Sequence, residues 1–435
     1  MKKQTQVEVD VTDLSHDGRG VAHVDGKAMF VRGALPGERA TVRVTRSKRH
    51  FDEAEVQTLH TRSPDRVEPR CAHFGQCAGC SLQHLDPMAQ ILAKQRVLAE
   101  NFERIGKVAP ERWLDPLHDE PWQYRRKGRL SVKQVLKKER VLVGFRESNP
   151  RYVADIRRCE VLHPAIGPKI EAIGDMLATL QSAAQIPQIE FAAGDDVVAL
   201  VIRHLEPLPD SDKATLIAFA REHGFAIYLQ PGGLSSVHPL WPDAPQLSFA
   251  LPDHDVKLDF EPLDFVQVNG GMNQRMIALA LDLLQPQPDD RVLDLFCGLG
   301  NFTLPVARRV GQVEGVEGDT ELVRRAGANA AANGIANAQF HMANLFEDHS
   351  KAAWARQPWD KLLLDPPRAG ADKVLEYLPG KHTHRVVYVS CHPGSLARDA
   401  EILVRKHGFR LSAAGVMDMF PHTAHVESIA LFERD

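Results

Sequence analysis

The spacing of hydrophobic positions changes along this 435-residue chain. Residues 6–60 alternate between apolar and polar. Val7, Val9 and Val11 form one strand, residues 28–31 another and 40–44 a third, with turn signals at Asp17-Gly18, Asp25-Gly26 and Pro36-Gly37. Short strands at this even spacing predict an OB-like β-barrel. Ser63-Pro64-Asp65-Arg66 reads as a linker. Residues 87–106 then switch to helical spacing through Met88, Ile91, Leu92, Gln95, Leu98 and Phe102. A mixed α+β segment runs to about residue 262, with candidate strands at 130–132, 141–145 and 197–202. Beyond it the βα alternation of a doubly wound sheet is clear. Strands are predicted at 291–296, 312–317, 361–365 and 385–390, with helices at 320–333 and 393–407.

The pattern divides the chain into residues 1–62, 63–262 and 263–435: a β-barrel, a central α+β domain and a Rossmann-like α/β domain. A chain of this length exceeds what one hydrophobic core supports. The 87–106 helix is a candidate to pack on the last domain.

Composition places the chain among soluble globular proteins, with 43% hydrophobic and 25% charged residues. No run of eighteen apolar residues occurs, and Met1-Lys2-Lys3-Gln4-Thr5 has no apolar leader core. A cytoplasmic protein without a membrane partner is expected. Charge is unevenly spread: residues 1–160 carry 30 Lys and Arg against 22 Asp and Glu, and the remainder 23 against 35. The densest basic stretch, 122–158, has 12 basic and 3 acidic residues, with Trp122, Tyr124 and Phe145 interleaved. A solvated charged face is the bland explanation of such a run; the aromatics favour a nucleic-acid partner.

The C-terminal domain carries the candidate chemistry. In open α/β sheets ligands bind at the carboxyl ends of the strands. The 291–296 strand leads into Cys297-Gly298-Leu299-Gly300-Asn301, whose glycines let the backbone approach a nucleotide-like ligand. Glu317 ends the next strand and can accept ribose hydroxyls. Asn344 follows a third strand and can meet an adenine edge. The fourth ends in Asp365-Pro366-Pro367-Arg368, a turn of methyltransferases that act on bases, which dehydrogenases lack. The 385–390 strand ends at Cys391, followed by His392 and Pro393. Most methyltransferases need no nucleophile of their own, so a thiol here suggests a target activated by covalent attack.

A second cysteine group, Cys71-x5-Cys77-x2-Cys80 with the remote Cys159, has the spacing of an iron–sulfur site more than of structural zinc. Cys297 reads as a packing residue.

The tetrapeptides 365–368 and 390–393, with Pro-His-Thr-Ala-His-Val-Glu-Ser at 421–428, resemble the signature of the RNA 5-methyluridine methyltransferases. Residues 13–22 resemble the TRAM domain, an RNA-binding OB-like barrel. Cys71, Cys77, Cys80 and Cys159 resemble the 4Fe-4S site of the family's bacterial 23S rRNA members. The motifs span almost the full length. Members acting on the tRNA T-loop typically lack both barrel and cluster, so the resemblance implies 23S rRNA as partner and the uridine called 1939 as target. It further implies S-adenosylmethionine contacts at Gln267, Phe296, Asn301, Glu317, Asn344 and Asp365, with Cys391 as nucleophile and Glu427 as base. Asp365 would also assist as base or in positioning the cofactor. The family usually has Asn after the nucleophile; here it is His392.

A monomer without a protein partner is expected. Two alternatives stand at this point: the same chemistry on another RNA, either the tRNA T-loop or a different 23S uridine, and an RNA-binding ribosome-assembly factor with a vestigial fold. The intact Cys391 and Glu427 argue against the second. A radical S-adenosylmethionine enzyme is disfavoured, because those typically use a compact Cys-x3-Cys-x2-Cys loop.

Overall fold

The computed structural model describes residues 6–379 and 382–435. The opening pentapeptide read above for a leader lies outside the described residues. Strands Gln6–Asp10, Asp13–Leu14, Gly20–Val24, Lys27–Arg32, Arg39–Ser47 and Phe51–Leu59 form one six-stranded sheet. Their inward positions, among them Val9, Ala22, Met29, Val31 and Val42, make a separate small core. The 63–66 segment is not a free linker. Arg66 donates to the buried Glu38 carboxylate at 2.8 Å and to the Gly33 carbonyl at 2.7 Å, tying the segment to the barrel.

The predicted 87–106 helix differs in two respects. It is α-helical over Pro87–Asn101, with Asp86 as N-cap, and widens into a π-helical turn over Phe102–Gly106. Gly106 lies against the Ala397 carbonyl, where a Cβ would come within 2.5 Å, so the close approach requires glycine. Ile91, Leu98 and Phe102 are buried with Leu396 and Ala397 of the C-terminal core, whereas Met88 and Leu92 face outward, 46% and 57% exposed. Helical periodicity finds the face, but the partner decides which edge of it is covered.

The central segment builds a six-stranded sheet, in the order His238–Trp241, Phe225–Gln230, Val198–Arg203, Gln188–Ala193, Lys127–Val135, Arg140–Gly144. Helices Ile170–Ala178 and Asp210–His223 complete its core. The hairpin of Leu247–Leu251 and Val256–Phe260 packs with helix Gly270–Leu284 through Phe249, Leu258, Met272 and Met276.

The C-terminal sheet has eight strands, in the order Ala338–Met342, Gln312–Glu317, Arg291–Leu295, Lys361–Leu364, Arg385–Ser390, Glu427–Glu433, Arg410–Met417, Arg112–Trp113. The first five are parallel, and Glu427–Glu433 runs antiparallel beside Arg385–Ser390. The last hairpin and the edge strand Arg112–Trp113, contributed from far upstream, were not legible as period-2 runs. The hairpin strands are buried almost throughout, so they do not alternate. Strand order reverses at Arg291–Leu295, which opens the crevice where ligands of such sheets sit. Among the described residues no helix is long and apolar enough to cross a membrane.

Candidate active site

Two strand ends generate the site. After Arg291–Leu295 the chain turns through Phe296 (φ 66°), Gly298 (φ 55°) and Gly300 (φ 87°), three left-handed residues in five. The loop bounds a cavity of about 550 Å³. Gln267, Phe296, Asn301, Glu317, Asn344, Asp365, Cys391 and Glu427 all line that one cavity. One Glu317 oxygen accepts from Gly298 N at 3.0 Å, and the other from Gly318 N at 2.7 Å and Asp319 N at 3.1 Å. The carboxylate is thereby held rigid, a fixed acceptor for hydroxyls. Asn344 donates to Glu347 at 2.8 Å and accepts from Phe346 N at 3.2 Å, closing a local turn. Phe296 and Phe346 stand 6.0 Å apart as aromatic walls.

Sequence reasoning missed Asn273. Its buried amide exchanges two hydrogen bonds with Asn301, at 2.8 and 2.9 Å, and fixes that side chain against the helix Gly270–Leu284. No motif signals it, because the pair forms across elements.

The second strand end holds the thiol. Ser390 pairs with Ser428 in the antiparallel register, so the next position, Cys391, stands beside Glu427. Burial pushes the Cys391 thiol up to about 11, with the Glu427 and Asp365 charges adding and Arg368 opposing. Glu427 is raised to about 8 by burial and then by Asp365, and its Oε2 has no hydrogen-bond partner. Burial alone lifts Asp365 to about 7. Two carboxyls and a thiol thus share one low-dielectric corner, each kept close to neutral form.

Arg368, Cys391 and His425 also line a second, open groove of about 890 Å³. This groove runs from Asp13 and Asp17 of the barrel, past Gly79 and Ser81, to the thiol. The thiol therefore sits where groove and cavity meet. The Arg368 guanidinium donates to His425 Nδ1 at 3.2 Å at that junction.

The segment leading to Glu427 is clamped from outside the C-terminal domain. Lys94 donates to Asp418 at 2.6 Å and to the Phe420 carbonyl at 3.0 Å. The His422 carbonyl accepts from Ser81 N at 2.9 Å and Leu82 N at 3.0 Å, and Tyr124 donates to the Pro421 carbonyl at 3.1 Å.

Cys71, Cys77, Cys80 and Cys159 line one narrow cavity with Phe74 and Phe145. Burial raises all four thiols, Cys80 to about 12 and Cys159 to about 11. Among the described residues no three His, Cys, Asp or Glu side chains are grouped to hold a single metal ion. Cys297 is buried apart from them.

The basic 122–158 stretch is mixed: Arg129, Lys133, Lys137, Lys138, Arg146, Arg151, Arg157 and Arg158 are exposed, whereas its aromatics pack against the protein. Trp122 stacks on His422 at 4.0 Å, Tyr124 is buried, and Phe145 faces the cysteine cavity. Arg126 pairs with Asp195, Arg129 with Glu190, and Lys138 and Arg140 with Asp155. Burial lowers Lys127 to about 8. Much of this charge serves internal pairing, which a linear count cannot reveal.

Residues 246–435 match the family model described as tRNA (Uracil-5-)-methyltransferase, and residues 2–56 that of the TRAM domain. The fold and the crevice define an S-adenosylmethionine-dependent RNA methyltransferase with an N-terminal TRAM barrel. The chain is 60% identical over 434 residues to the 23S rRNA (uracil(1939)-C(5))-methyltransferase RlmD of Xanthomonas euvesicatoria pv. vesicatoria, covering 99% of this chain and 98% of that protein. The protein of the same description from Stenotrophomonas maltophilia strain K279a is 58% identical with the same coverage. The chain belongs to this family, the 23S rRNA (uracil-C5)-methyltransferases.

Among solved structures, the Pyrococcus abyssi tRNA (uracil-54, C5)-methyltransferase in complex with S-adenosyl-L-homocysteine shares the fold. Its TM-score is 0.74 at 24% identity, over 98% of this chain and 100% of that one. That likeness corrects one expectation. A tRNA enzyme has this layout from end to end, so the layout does not by itself separate ribosomal from transfer RNA enzymes.

Proposed function

We propose that this protein methylates carbon 5 of the 23S rRNA uridine called 1939 through a covalent adduct with Cys391. The carrying observation is the Ser390–Ser428 register, which sets the thiol beside Glu427 where the cofactor-sized cavity meets the groove. The names of the 58–60% identical relatives support the choice of RNA and uridine.

The cavity fits S-adenosylmethionine: it offers an anchored carboxylate at Glu317, amides at Gln267, Asn301 and Asn344, and aromatic walls. Bound there, S-adenosylmethionine supplies an electrophilic methyl group. The uracil must leave its stack to enter from the groove, at a cost of a few kcal/mol that is smallest for loop nucleotides. The Cys391 thiolate forms a bond to carbon 6, and the displaced π pair moves to the carbonyl oxygen at carbon 4 as an enolate. Carbon 5 thereby becomes nucleophilic. Once methylated, it still bears its hydrogen, which Glu427 accepts; the returning pair rebuilds the double bond and expels the thiolate from carbon 6. A carboxyl near 8 can take and release that proton close to neutral pH. Asp365 lies in the same corner and is assigned to orient cofactor and base.

The four-cysteine cavity fits a 4Fe-4S cluster better than a lone ion. Each iron of such a cluster takes its own thiolate, so the four sulfurs need not converge on one point. Cys71, Cys77, Cys80 and Cys159 would hold it. No step above needs an electron, so its role is structural, through the adjoining Ser81 and Leu82.

The test incubates Glu427→Gln with a 23S rRNA fragment and S-adenosylmethionine, then runs a denaturing gel. A protein–RNA band that Cys391→Ala abolishes is expected. Full turnover by Cys391→Ala would remove the covalent scheme. Base-resolved mapping in a deletion strain should find only the 1939 methyl missing; loss of a tRNA methyl instead would reassign the substrate.

A further inference from the structure

We infer that His392 is a positioning residue: through Nδ1 it caps the helix behind the nucleophile and so fixes the turn that carries the thiol. The inference rests on Cys391 as nucleophile.

Cys391 is the single residue between the end of strand Arg385–Ser390 and His392, the N-cap of helix Pro393–His407. Its backbone is bracketed on both sides. His392 N donates to Ser390 Oγ at 3.2 Å, and Ser395 Oγ donates to the His392 carbonyl at 3.0 Å. The cap itself is Ser395 N donating to His392 Nδ1 at 3.1 Å. Ser428 Oγ, at 3.3 Å, donates to the Ser390 carbonyl and ties this turn to the strand that begins with Glu427.

The first turn of a helix has N–H groups without partners, and a capping side chain must accept. Asn, Asp, Ser and Thr carry an oxygen that accepts at any ordinary pH. An imidazole accepts only through an unprotonated nitrogen. The same Nδ1 lies 3.3 Å from Ser395 Oγ, so the ring is held against the first turn by both polar groups of Ser395. Without the cap the first turn frays, which removes the dipole that favours the neighbouring thiolate.

The other charges around the groove are mostly paired. Arg96 binds Asp13 at 2.7 Å, Arg104 lies 3.6 Å from Glu100, and Asp17 binds Arg19 at 2.7 Å. Arg368 donates to His425, and His16 completes the groove lining.

Wild type, His392→Asn and His392→Ala are compared at one fixed pH. Two rates are read: single-turnover methylation, and alkylation of Cys391 in the RNA-free enzyme by peptide mapping. His392→Asn keeps an accepting side chain at the cap and should lie within about twofold of wild type in both rates. His392→Ala should be slower by about fivefold in both, the equivalent of one cap, with unchanged S-adenosylmethionine affinity. His392→Ala as fast as wild type, or His392→Asn as slow as His392→Ala, would overturn the inference. If alkylation shows the pattern while no RNA adduct ever forms, the cap stands and the covalent scheme falls.

Discussion

Lys94 Nζ lies 2.6 Å from Asp418 Oδ1, and the two side chains are 3% and 6% exposed. This buried pair joins a helix from the first quarter of the chain to the segment that delivers Glu427. Removing one partner of a buried pair leaves an uncompensated charge, at a cost of about 3–5 kcal/mol. Lys94→Met should therefore lower the melting temperature and reduce kcat at least tenfold, with little change in S-adenosylmethionine KM. The double variant Lys94→Met/Asp418→Asn should recover much of the stability without kcat, because the Phe420 carbonyl still lacks its donor. Recovery of both by the double variant would show that the pair acts on stability alone.

Glu427 makes a pH prediction whose sign follows from its raised value. Its carboxyl ionises near 4.5 in the unfolded chain and near 8 in the fold. Between those values the unfolded state loses its proton first, so this group's contribution to stability is present below pH 4.5 and declines up to about 8. Glu427→Gln has no such proton. Its melting temperature should match wild type near pH 4.5 and exceed it at pH 8, by on the order of 5 °C. Parallel curves across that range would place the Glu427 carboxylate in a solvated setting.

Catalysis should run the opposite way with pH. The base must be ionised and the thiol must be thiolate, and burial raises both, to about 8 and about 11. The single-turnover rate of wild type should climb from pH 6 to 9 without a plateau at 7. A rate flat across that range would mean that proton removal and thiolate formation are not limiting.

Asn273 touches no reacting atom in the scheme, yet it holds Asn301 through two hydrogen bonds. Asn273→Ala should weaken S-adenosylmethionine binding by about fivefold to tenfold, the equivalent of about 1 kcal/mol for such a bond, with kcat nearly unchanged. Calorimetric titration measures this directly; an unaltered Kd would remove Asn301 from the cofactor contacts.

The cysteine cavity predicts a brown protein when purified anaerobically, with iron and sulfide in about a four-to-four ratio per chain. Zinc alone would overturn that assignment. Cys159→Ser should lose the chromophore. Because Ser81 N and Leu82 N hold the His422 carbonyl, it should also lower kcat more than it weakens S-adenosylmethionine binding.

How much was legible divides along a physical line. Glu317, Asn344, Asp365 and Cys391 could be picked out because parallel strands present their ends in chain order, and each strand is a local apolar run with a local stop. Cys71, Cys77 and Cys80 were readable for the same reason, being close in sequence. Lys94 and Asn273 were invisible, since each acts across a gap that carries no periodicity. The pairing of the basic stretch with Asp155, Glu190 and Asp195 was equally illegible, because such partners leave no linear mark.

The amino-acid sequence by itself determined that a β-barrel precedes a doubly wound α/β sheet, where along the chain that sheet's parallel strands fall, and the residue types at their ends. Local hydrogen bonding and side-chain period are properties of neighbouring residues, and they suffice for that. Only the tertiary structure decided that Glu427 stands beside Cys391, through the antiparallel Ser390–Ser428 register. Register and burial belong to contacts between distant segments, and the low-dielectric corner that raises Asp365, Cys391 and Glu427 together exists only once those segments have packed.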